Sequence, residues 1–228
     1  MSKTTSKSLP HWGKEELHTA RLENGFRIIY KQVPRPVTHC GLVINAGSRD
    51  ENMQAGESGA AHFIEHTLFK GTQKRKAFHI LNRLDTVGGE FNAYTSKEDT
   101  WIYAAFSEQH LERAVELIAD ITFQATFPEK EIVKERDVIL DELNAYLDSP
   151  AEAIFDEFEE RLFAGHPLGG NILGTKESVA KMSRTVLKGF VDRHYQTDQM
   201  VFSAVGATPW KKVLRICEKH FASIPSGK

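Results

Sequence analysis

The sequence predicts an α+β fold in which helices pack against one antiparallel or mixed sheet. Short apolar segments bounded by turn residues, which are typical of strands, occur near both ends of the chain and in its middle. Segments with helical periodicity lie between them without a strict alternation of strand and helix, and this order is typical of α+β proteins. No internal repeat or low-complexity linker is visible, so we expect one domain over residues 16–228 after a flexible tail over residues 1–15.

Turn residues define the predicted strands. Asn24-Gly25 lies between two apolar stretches, a combination that strongly favours a β-hairpin. Pro34 and Pro36 separate this hairpin from a third, apolar strand, and a polar segment at residues 96–99 separates a further pair. The predicted strands span residues 18–22, 26–33, 38–46, 90–95, 100–106 and 200–206.

Helical signals fill the segments between these strands. Apolar residues recur every three or four positions between Leu111 and Ile121, which predicts a helix with one buried face. Ser58 is a candidate N-cap for the first helix, and Pro128 is well placed in the first turn of the longest one. The predicted helices span residues 60–69, 77–86, 109–124, 128–147, 151–163, 176–182, 185–194 and 209–221.

Charge and composition exclude several classes of function. The 228 residues include 29 basic and 31 acidic side chains, so no basic surplus indicates binding to nucleic acid or to an anionic membrane. No apolar run approaches the roughly 20 residues that span a bilayer. The two cysteines, Cys40 and Cys217, are too few for a disulfide framework, which favours a reducing compartment.

The first ten residues suggest a location. They lack the apolar stretch of a secretory signal, and they contain no arginine, which mitochondrial presequences favour. We therefore expect a cytoplasmic protein and regard the mitochondrial matrix as the less favoured alternative.

Residues 62–66 read His-Phe-Ile-Glu-His and carry the strongest chemical signal. Positions four apart lie on one face of a helix, so His62 and His66 can direct imidazole nitrogens at one metal ion. Glu65 flanks that face and is placed to activate a metal-bound water as a general base. This inverted zincin pattern predicts a zinc site. Phe63 and Ile64, between the histidines, are expected to pack in the core.

A third ligand has to come from elsewhere in the chain, because a catalytic zinc usually has three protein ligands and an open position. The helix predicted at residues 128–147 offers Glu135 and Glu142, which lie two turns apart on one face. Val138 and Ile139 between them suggest that this face is partly buried, where a carboxylate needs a partner. We assign Glu142 as the third ligand and Glu135 as an acidic support beside it.

These motifs together resemble those of the pitrilysin-type peptidases, family M16, which include insulin-degrading enzyme and mitochondrial processing peptidase. The spacing between the histidine motif and Glu142 is similar to that of the family. Further segments at residues 41–51, 88–96 and 166–175 resemble the family's early strand, substrate-side strand and later loop. The resemblance covers nearly the whole chain after the tail, and it implies a processing-peptidase-like metallohydrolase half with α+β architecture.

The resemblance also implies a mode of substrate binding. Asn92 and Ala93 would contact the backbone of a peptide that adds to an exposed edge of the sheet. Such a contact binds extended polypeptide through main-chain hydrogen bonds, largely independently of sequence. The implied activity is that of a zinc-dependent endopeptidase acting on peptides or unfolded proteins.

Family members are usually built from two similar halves, and the second half often supplies an arginine and a tyrosine that hold the substrate carbonyl. The resemblance therefore implies that this chain needs a second M16-type half for full activity and cleaves weakly alone. We favour a shortened form of a continuous two-half polypeptide over a subunit that pairs with another chain. Two alternatives stay open: a non-catalytic or structural core-type subunit of a processing-peptidase-like complex, and a peptidase dedicated to maturing one peptide. The retained histidine motif argues against the first.

Overall fold

Seven strands form one mixed sheet in the computed structural model, which describes residues 5–8 and 17–227. In chain order they are β1 (Thr5–Ser8), β2 (Leu17–Arg21), β3 (Arg27–Gln32), β4 (Val37–Ile44), β5 (Glu90–Thr95), β6 (Thr100–Ser107) and β7 (Met200–Gly206). Their order across the sheet is β1-β2-β3-β7-β4-β6-β5. β3 and β7 are parallel, and the other neighbouring pairs are antiparallel, so the predicted sheet type is confirmed.

β7, the last strand in the chain, pairs with two strands from the N-terminal part of the sequence. β7 pairs with β3 on one side and with β4 on the other, so that Val201 lies opposite both Arg27 and Val43. At one side of the sheet β5 pairs with β6, and no other described strand covers its second edge. β5 is therefore an edge strand with free backbone groups along one side.

Helices cover one face of this sheet. The described α-helices are α1 (Ala60–Leu68), α2 (Ala77–Asp85), α3 (Leu111–Gln124), α4 (Glu129–Leu147), α5 (Pro150–Leu162), α6 (Lys176–Lys181), α7 (Arg184–His194) and α8 (Trp210–Phe221). Alternate strand residues such as Leu42, Ile102 and Phe202 are fully buried, and α1, α3 and α8 contact the sheet directly. Burial of this apolar face is the main favourable contribution to folding. None of the helices within the described residues has the length and hydrophobicity that a bilayer crossing requires.

The predicted strands and helices are all present, and their ends fall within two residues of the predicted bounds. The expectation of a flexible tail over residues 1–15 did not include β1, whose four residues pair with β2 through the backbone. The sequence of β1 has no apolar alternation that would have predicted a strand. The rest of that tail lies outside the described residues.

The start of α1 differs from the prediction that Ser58 caps it. The N-cap residue is Gly59, which has a left-handed φ of 84° and no side chain to offer. A Cβ atom there would lie 2.6 Å from the carbonyl oxygen of Leu173, so the close approach of two backbones requires glycine. The carboxylate of Glu51 accepts the hydrogen bonds of the Gly59 and Ala61 amides instead.

Phe63 fixes α1 in the core and is fully buried, as is Ile64, which confirms their predicted role. We expect Phe63→Ala to lower the free energy of unfolding by about 3–5 kcal/mol, because the substitution leaves a cavity. Phe78→Ala on α2 is the matched control, since that ring is 70% exposed. Its expected effect is below about 0.5 kcal/mol. Urea unfolding followed by circular dichroism measures both, and equal losses would contradict this packing.

Candidate metal centre

Two helices that are distant in sequence bring the predicted ligands together. α1 carries His62 and His66 one turn apart, and α4, which packs against it, carries Glu142. The Oε2 atom of Glu142 lies 3.7 Å from His62 Nε2 and 3.4 Å from His66 Nε2. One potential ligand atom from each of the three side chains lies within 4.8 Å of the other two.

These distances suit a tetrahedral metal ion. Zinc binds histidine nitrogen and carboxylate oxygen at about 2.0–2.2 Å, so two ligand atoms at the tetrahedral angle lie about 3.3–3.6 Å apart. The separations of 3.4 and 3.7 Å are close to that range. Two histidines and one glutamate are also a donor set found in catalytic zinc sites, where the fourth position stays open for water. The residues present therefore fit a zinc ion.

His62 is held in a form that can bind a metal. Its side chain is 9% exposed, and burial lowers its pKa to about 3, with the neighbouring His66 acting in the same direction. The ring is therefore neutral at pH 7, and one of its nitrogens has a free lone pair. Nδ1 is buried and has no hydrogen-bond partner within the described part of the chain. Nε2, which faces Glu142, is the atom available to a metal.

Glu135 lies behind His66, where the sequence predicted an acidic support. Its side chain is 8% exposed, and its Oε2 lies 3.2 Å from His66 Nδ1. Its other oxygen lies 2.7 Å from the Lys70 ammonium group. A hydrogen bond from Nδ1 to the carboxylate fixes the orientation of the imidazole and leaves the Nε2 lone pair for a metal.

The face of α4 between the two glutamates is only partly as predicted. Ile139 is 1% exposed, whereas Val138 is 49% exposed and lies on the solvent side of the helix. By helical spacing Glu135, Val138, Ile139 and Glu142 lie on one broad face of α4, with Ile139 at its buried margin and Val138 at its solvent margin. The side chain of Glu142 is 46% exposed, so its carboxylate lies at the open side of the cluster.

Glu65 lies between the two histidines on α1. Burial raises its pKa, Thr95 and His66 lower it, and the Glu142 carboxylate raises it. The Glu65 carboxyl group thus interacts with His66 and Glu142 on one side and with Thr95, the last residue of β5, on the other. A carboxylate whose pKa is raised by burial is a better proton acceptor than one in water.

β5 runs beside α1 and forms one edge of the sheet. α1 packs against β5, where Asn92 is exposed and Ala93 is 6% exposed. The side-chain oxygen of Asn92 accepts a hydrogen bond from the Ala93 amide at 2.9 Å. Both residues predicted to contact substrate therefore lie on the edge strand against which α1 packs.

A groove of about 480 Å³ lies between α2 and β5. Residues lining it include Leu81, Asp85, Phe91, Asn92 and Tyr103. Phe91 also contacts Phe69, which follows α1 directly, with the ring centroids 5.4 Å apart. The groove thus adjoins both the edge strand β5 and the C-terminal end of α1.

Two residues of the site, Lys70 and Thr95, were not singled out from the sequence. Lys70 follows His66 by four residues, so the spacing that pairs the two histidines is a signal that could have found it. Thr95 lies beside Glu65 only because α1 packs on β5. No local pattern encodes that contact.

Comparison with known proteins places the chain in a family. Residues 27–176 match the family model "Insulinase (Peptidase family M16)", and residues 181–228 match the model "Peptidase M16 inactive domain". An uncharacterized zinc protease of Mycobacterium leprae is 38% identical over 220 residues, which cover 92% of this chain and 49% of that protein. Subunit beta of the mitochondrial-processing peptidase of Saccharomyces cerevisiae is 34% identical, over 92% of this chain and 45% of its own. Subunit 1 of the cytochrome b-c1 complex of Bos taurus is 35% identical, over 92% of this chain and 43% of that protein.

Solved structures share the same fold. The crystal structure of a protease from Helicobacter pylori superposes with a TM-score of 0.86 at 27% identity, over 99% of this chain and 51% of that one. The chain thus spans about half the length of the curated relatives that it matches. It belongs to peptidase family M16, the insulinase family.

Proposed function

We propose that this chain is the zinc-binding half of an endopeptidase that hydrolyses peptides or unfolded proteins. The observation that carries the proposal is the convergence of His62, His66 and Glu142, whose ligand atoms lie within 4.8 Å of one another. In the proposed site Glu65 is the general base and Glu135 supports His66. The name of the Mycobacterium leprae relative, a zinc protease, supports both the metal and the class of reaction.

Zinc, when bound to these ligands, would polarise a water molecule and the carbonyl group of the scissile peptide. Glu65 accepts the proton of the attacking water and passes it to the leaving amine. Its partly buried surroundings, which raise its pKa, make it a stronger acceptor for that proton. His62 and His66 contribute neutral nitrogen donors, and Glu142 contributes the negative charge of the ligand set.

The free edge of β5 is the proposed binding site for substrate. An extended peptide can add there as a further strand through backbone hydrogen bonds that do not depend on its sequence. Asn92 and Ala93 would contact that peptide, and the groove beside them can receive one of its side chains. Because α1 packs against β5, the peptide would pass beside Glu65. A folded protein presents no free strand of this kind, so unfolded polypeptide is the favoured substrate.

A second M16-type half is the proposed partner. The chain covers only 49% of the Mycobacterium leprae relative and 51% of the Helicobacter pylori protease. The exposed side of Glu142 leaves the cluster open, and a second half closing over it could exclude water and supply transition-state donors. Losing one such donor lowers a rate by about a hundred- to a thousandfold. We therefore expect the isolated chain to bind zinc and to cleave weakly. The cytoplasmic location stays a prediction.

A non-catalytic subunit is the second candidate function. The observation that favours it is the bovine relative, 35% identical, which is named as a subunit of the cytochrome b-c1 complex and not as a peptidase. The complete set of proposed ligands and base in this chain favours the catalytic function. A peptidase dedicated to maturing one peptide would have the same site, and only a comparison of substrates distinguishes it.

Purified protein is expected to contain about one zinc ion per chain. His62→Ala and Glu142→Gln each remove a ligand, so both variants should lose that zinc on dialysis. His79→Ala is the matched control, because His79 is exposed on α2. Elemental analysis of the dialysed proteins measures the metal content. Wild-type zinc content in both ligand variants would contradict the assignment of the site.

Glu65→Gln in the full two-half protein is expected to keep its zinc and to lose about a hundred- to ten-thousandfold in cleavage rate, because glutamine cannot accept the proton. Cleavage of an unstructured fluorogenic peptide measures the rate. Glu157→Gln, an exposed change of the same kind on α5, should cleave normally. Normal cleavage by Glu65→Gln would remove Glu65 from its role. A wild-type two-half protein that holds zinc and cleaves no peptide would favour the non-catalytic subunit.

Glu135→Gln is expected to weaken zinc binding by about ten- to a hundredfold, because the neutral amide is a poorer acceptor for His66 Nδ1. Glu131→Gln is the control on the same helix, since Glu131 pairs with the exposed Lys134 and, within the described residues, with neither histidine of the site. Competition with a chromophoric chelator gives the zinc dissociation constant of each variant. Equal constants for the two variants would show that Glu135 does not support the site.

A further inference from the structure

Glu51 closes the N-terminal end of the metal helix α1. Its Oε2 accepts a hydrogen bond from the Gly59 amide at 2.8 Å, and its Oε1 accepts one from the Ala61 amide at 2.9 Å. The first amides of a helix have no partner within the helix, and the N-cap residue Gly59 has no side chain to supply one. Glu51, from the loop before the helix, therefore takes the place of a cap residue.

The Glu51 carboxyl group is 7% exposed. Burial raises its pKa to about 8, the amides of the first turn of α1 lower it, and the Glu57 carboxylate raises it. Both carboxylate oxygens accept amide hydrogen bonds when the group is ionised, whereas a proton on either oxygen, which the raised pKa favours below about pH 8, would face an N–H donor and weaken the cap. Within the described residues, Glu57 has a cationic partner, Arg193 of α7, whereas Glu51 has none. The interactions that favour the ionised form of Glu51 come from the helix amides that it caps.

His62 depends on this cap because it lies in the first turn. α1 has nine residues and begins at Ala60, so His62 is its third residue. A helix this short is marginal by itself, and its ends open before its middle. Opening of the first turn would move His62 away from Glu142, whereas His66 lies one turn further along the helix.

We propose that Glu51 is a positioning residue of the zinc centre, which holds His62 in its ligand position before the metal arrives. This inference rests on the proposed zinc site. The apparent dissociation constant of a site rises as the fraction of protein in the binding-competent form falls. Loss of a side-chain cap changes the order of a helix end by roughly two- to thirtyfold, so loss of Glu51 should weaken zinc binding by about tenfold.

Glu51→Gln tests this role with little change of shape. Glutamine keeps one acceptor oxygen and replaces the other by an NH2 group, which faces an amide donor of the helix. Above pH 8, where Glu51 is ionised, we expect the zinc dissociation constant to rise about tenfold. In the metal-free protein, we expect hydrogen exchange of the amides at residues 59–62 to accelerate by a similar factor, since exchange reports opening of the first turn. Chelator competition and exchange followed by mass spectrometry measure the two quantities.

Ser183→Ala is the matched control. Ser183 caps α7 by accepting a hydrogen bond from the Val186 amide, and α7 carries none of the proposed ligands. Its loss should loosen the start of α7 and leave the zinc dissociation constant unchanged. If Glu51→Gln does not fold, Glu51→Asp provides the test, because it keeps the charge on a shorter arm. That variant should show a smaller rise in the dissociation constant, between the wild-type and tenfold values.

Three outcomes would overturn the inference. The first is that Glu51→Gln, or Glu51→Asp in its place, binds zinc with the wild-type dissociation constant. The second is that Ser183→Ala weakens zinc binding as much as the Glu51 variant does. The third is that hydrogen exchange at residues 59–62 is unchanged in the metal-free Glu51 variant. A wild-type protein that binds no zinc would instead defeat the proposed function. The exchange measurement needs no metal, so it still decides whether Glu51 orders the first turn of α1.

Discussion

The packing of α1 against α4 is the contact on which the candidate site depends. Phe63 and Ile64 of α1 and Ile139 of α4 belong to one buried cluster. Burial of each such side chain contributes about 1.5–3 kcal/mol, whereas a partly exposed ion pair contributes about 1 kcal/mol or less. The apolar contact therefore fixes the distance between the helices. The imidazoles of α1 and the carboxylate of Glu142 converge because they lie beside that contact on the same two helices.

Among the described residues, the candidate metal site has more carboxylate groups than cationic side chains to balance them. Glu65, Glu135 and Glu142 lie close to the two histidines, and Lys70 forms the ion pair with Glu135. His62 adds no positive charge, because burial keeps its ring neutral at pH 7. Carboxylates that share a partly buried site repel one another unless a cation joins them. A divalent ion between Glu142 and the imidazoles would offset that repulsion, so the charges and the ligand geometry both favour a metal.

Local patterns predicted much of this molecule because they act over a few residues. The spacing of His62 and His66, and of Glu135 and Glu142, was enough to place each pair on one helical face. Contacts between distant segments could not be predicted in this way, and the position of β7 between β3 and β4 is one of them. The start of α1 is another. The local rule favoured Ser58, but the backbone near Leu173 requires glycine at the cap position and Glu51 supplies the missing acceptor.

The proposed metal site and the proposed peptide site have a fixed relative position, because α1 packs against β5. Thr95 at the end of β5 lies beside Glu65, while Asn92 is exposed along the free edge of the same strand. The backbone of a peptide added to β5 would therefore be held at a fixed distance from Glu65 without recognition of the peptide's side chains. Cleavage would then depend on whether a segment can become extended more than on its sequence. The same geometry favours a second half, since an edge strand holds a peptide from one side only and Glu142 leaves the other side open to water.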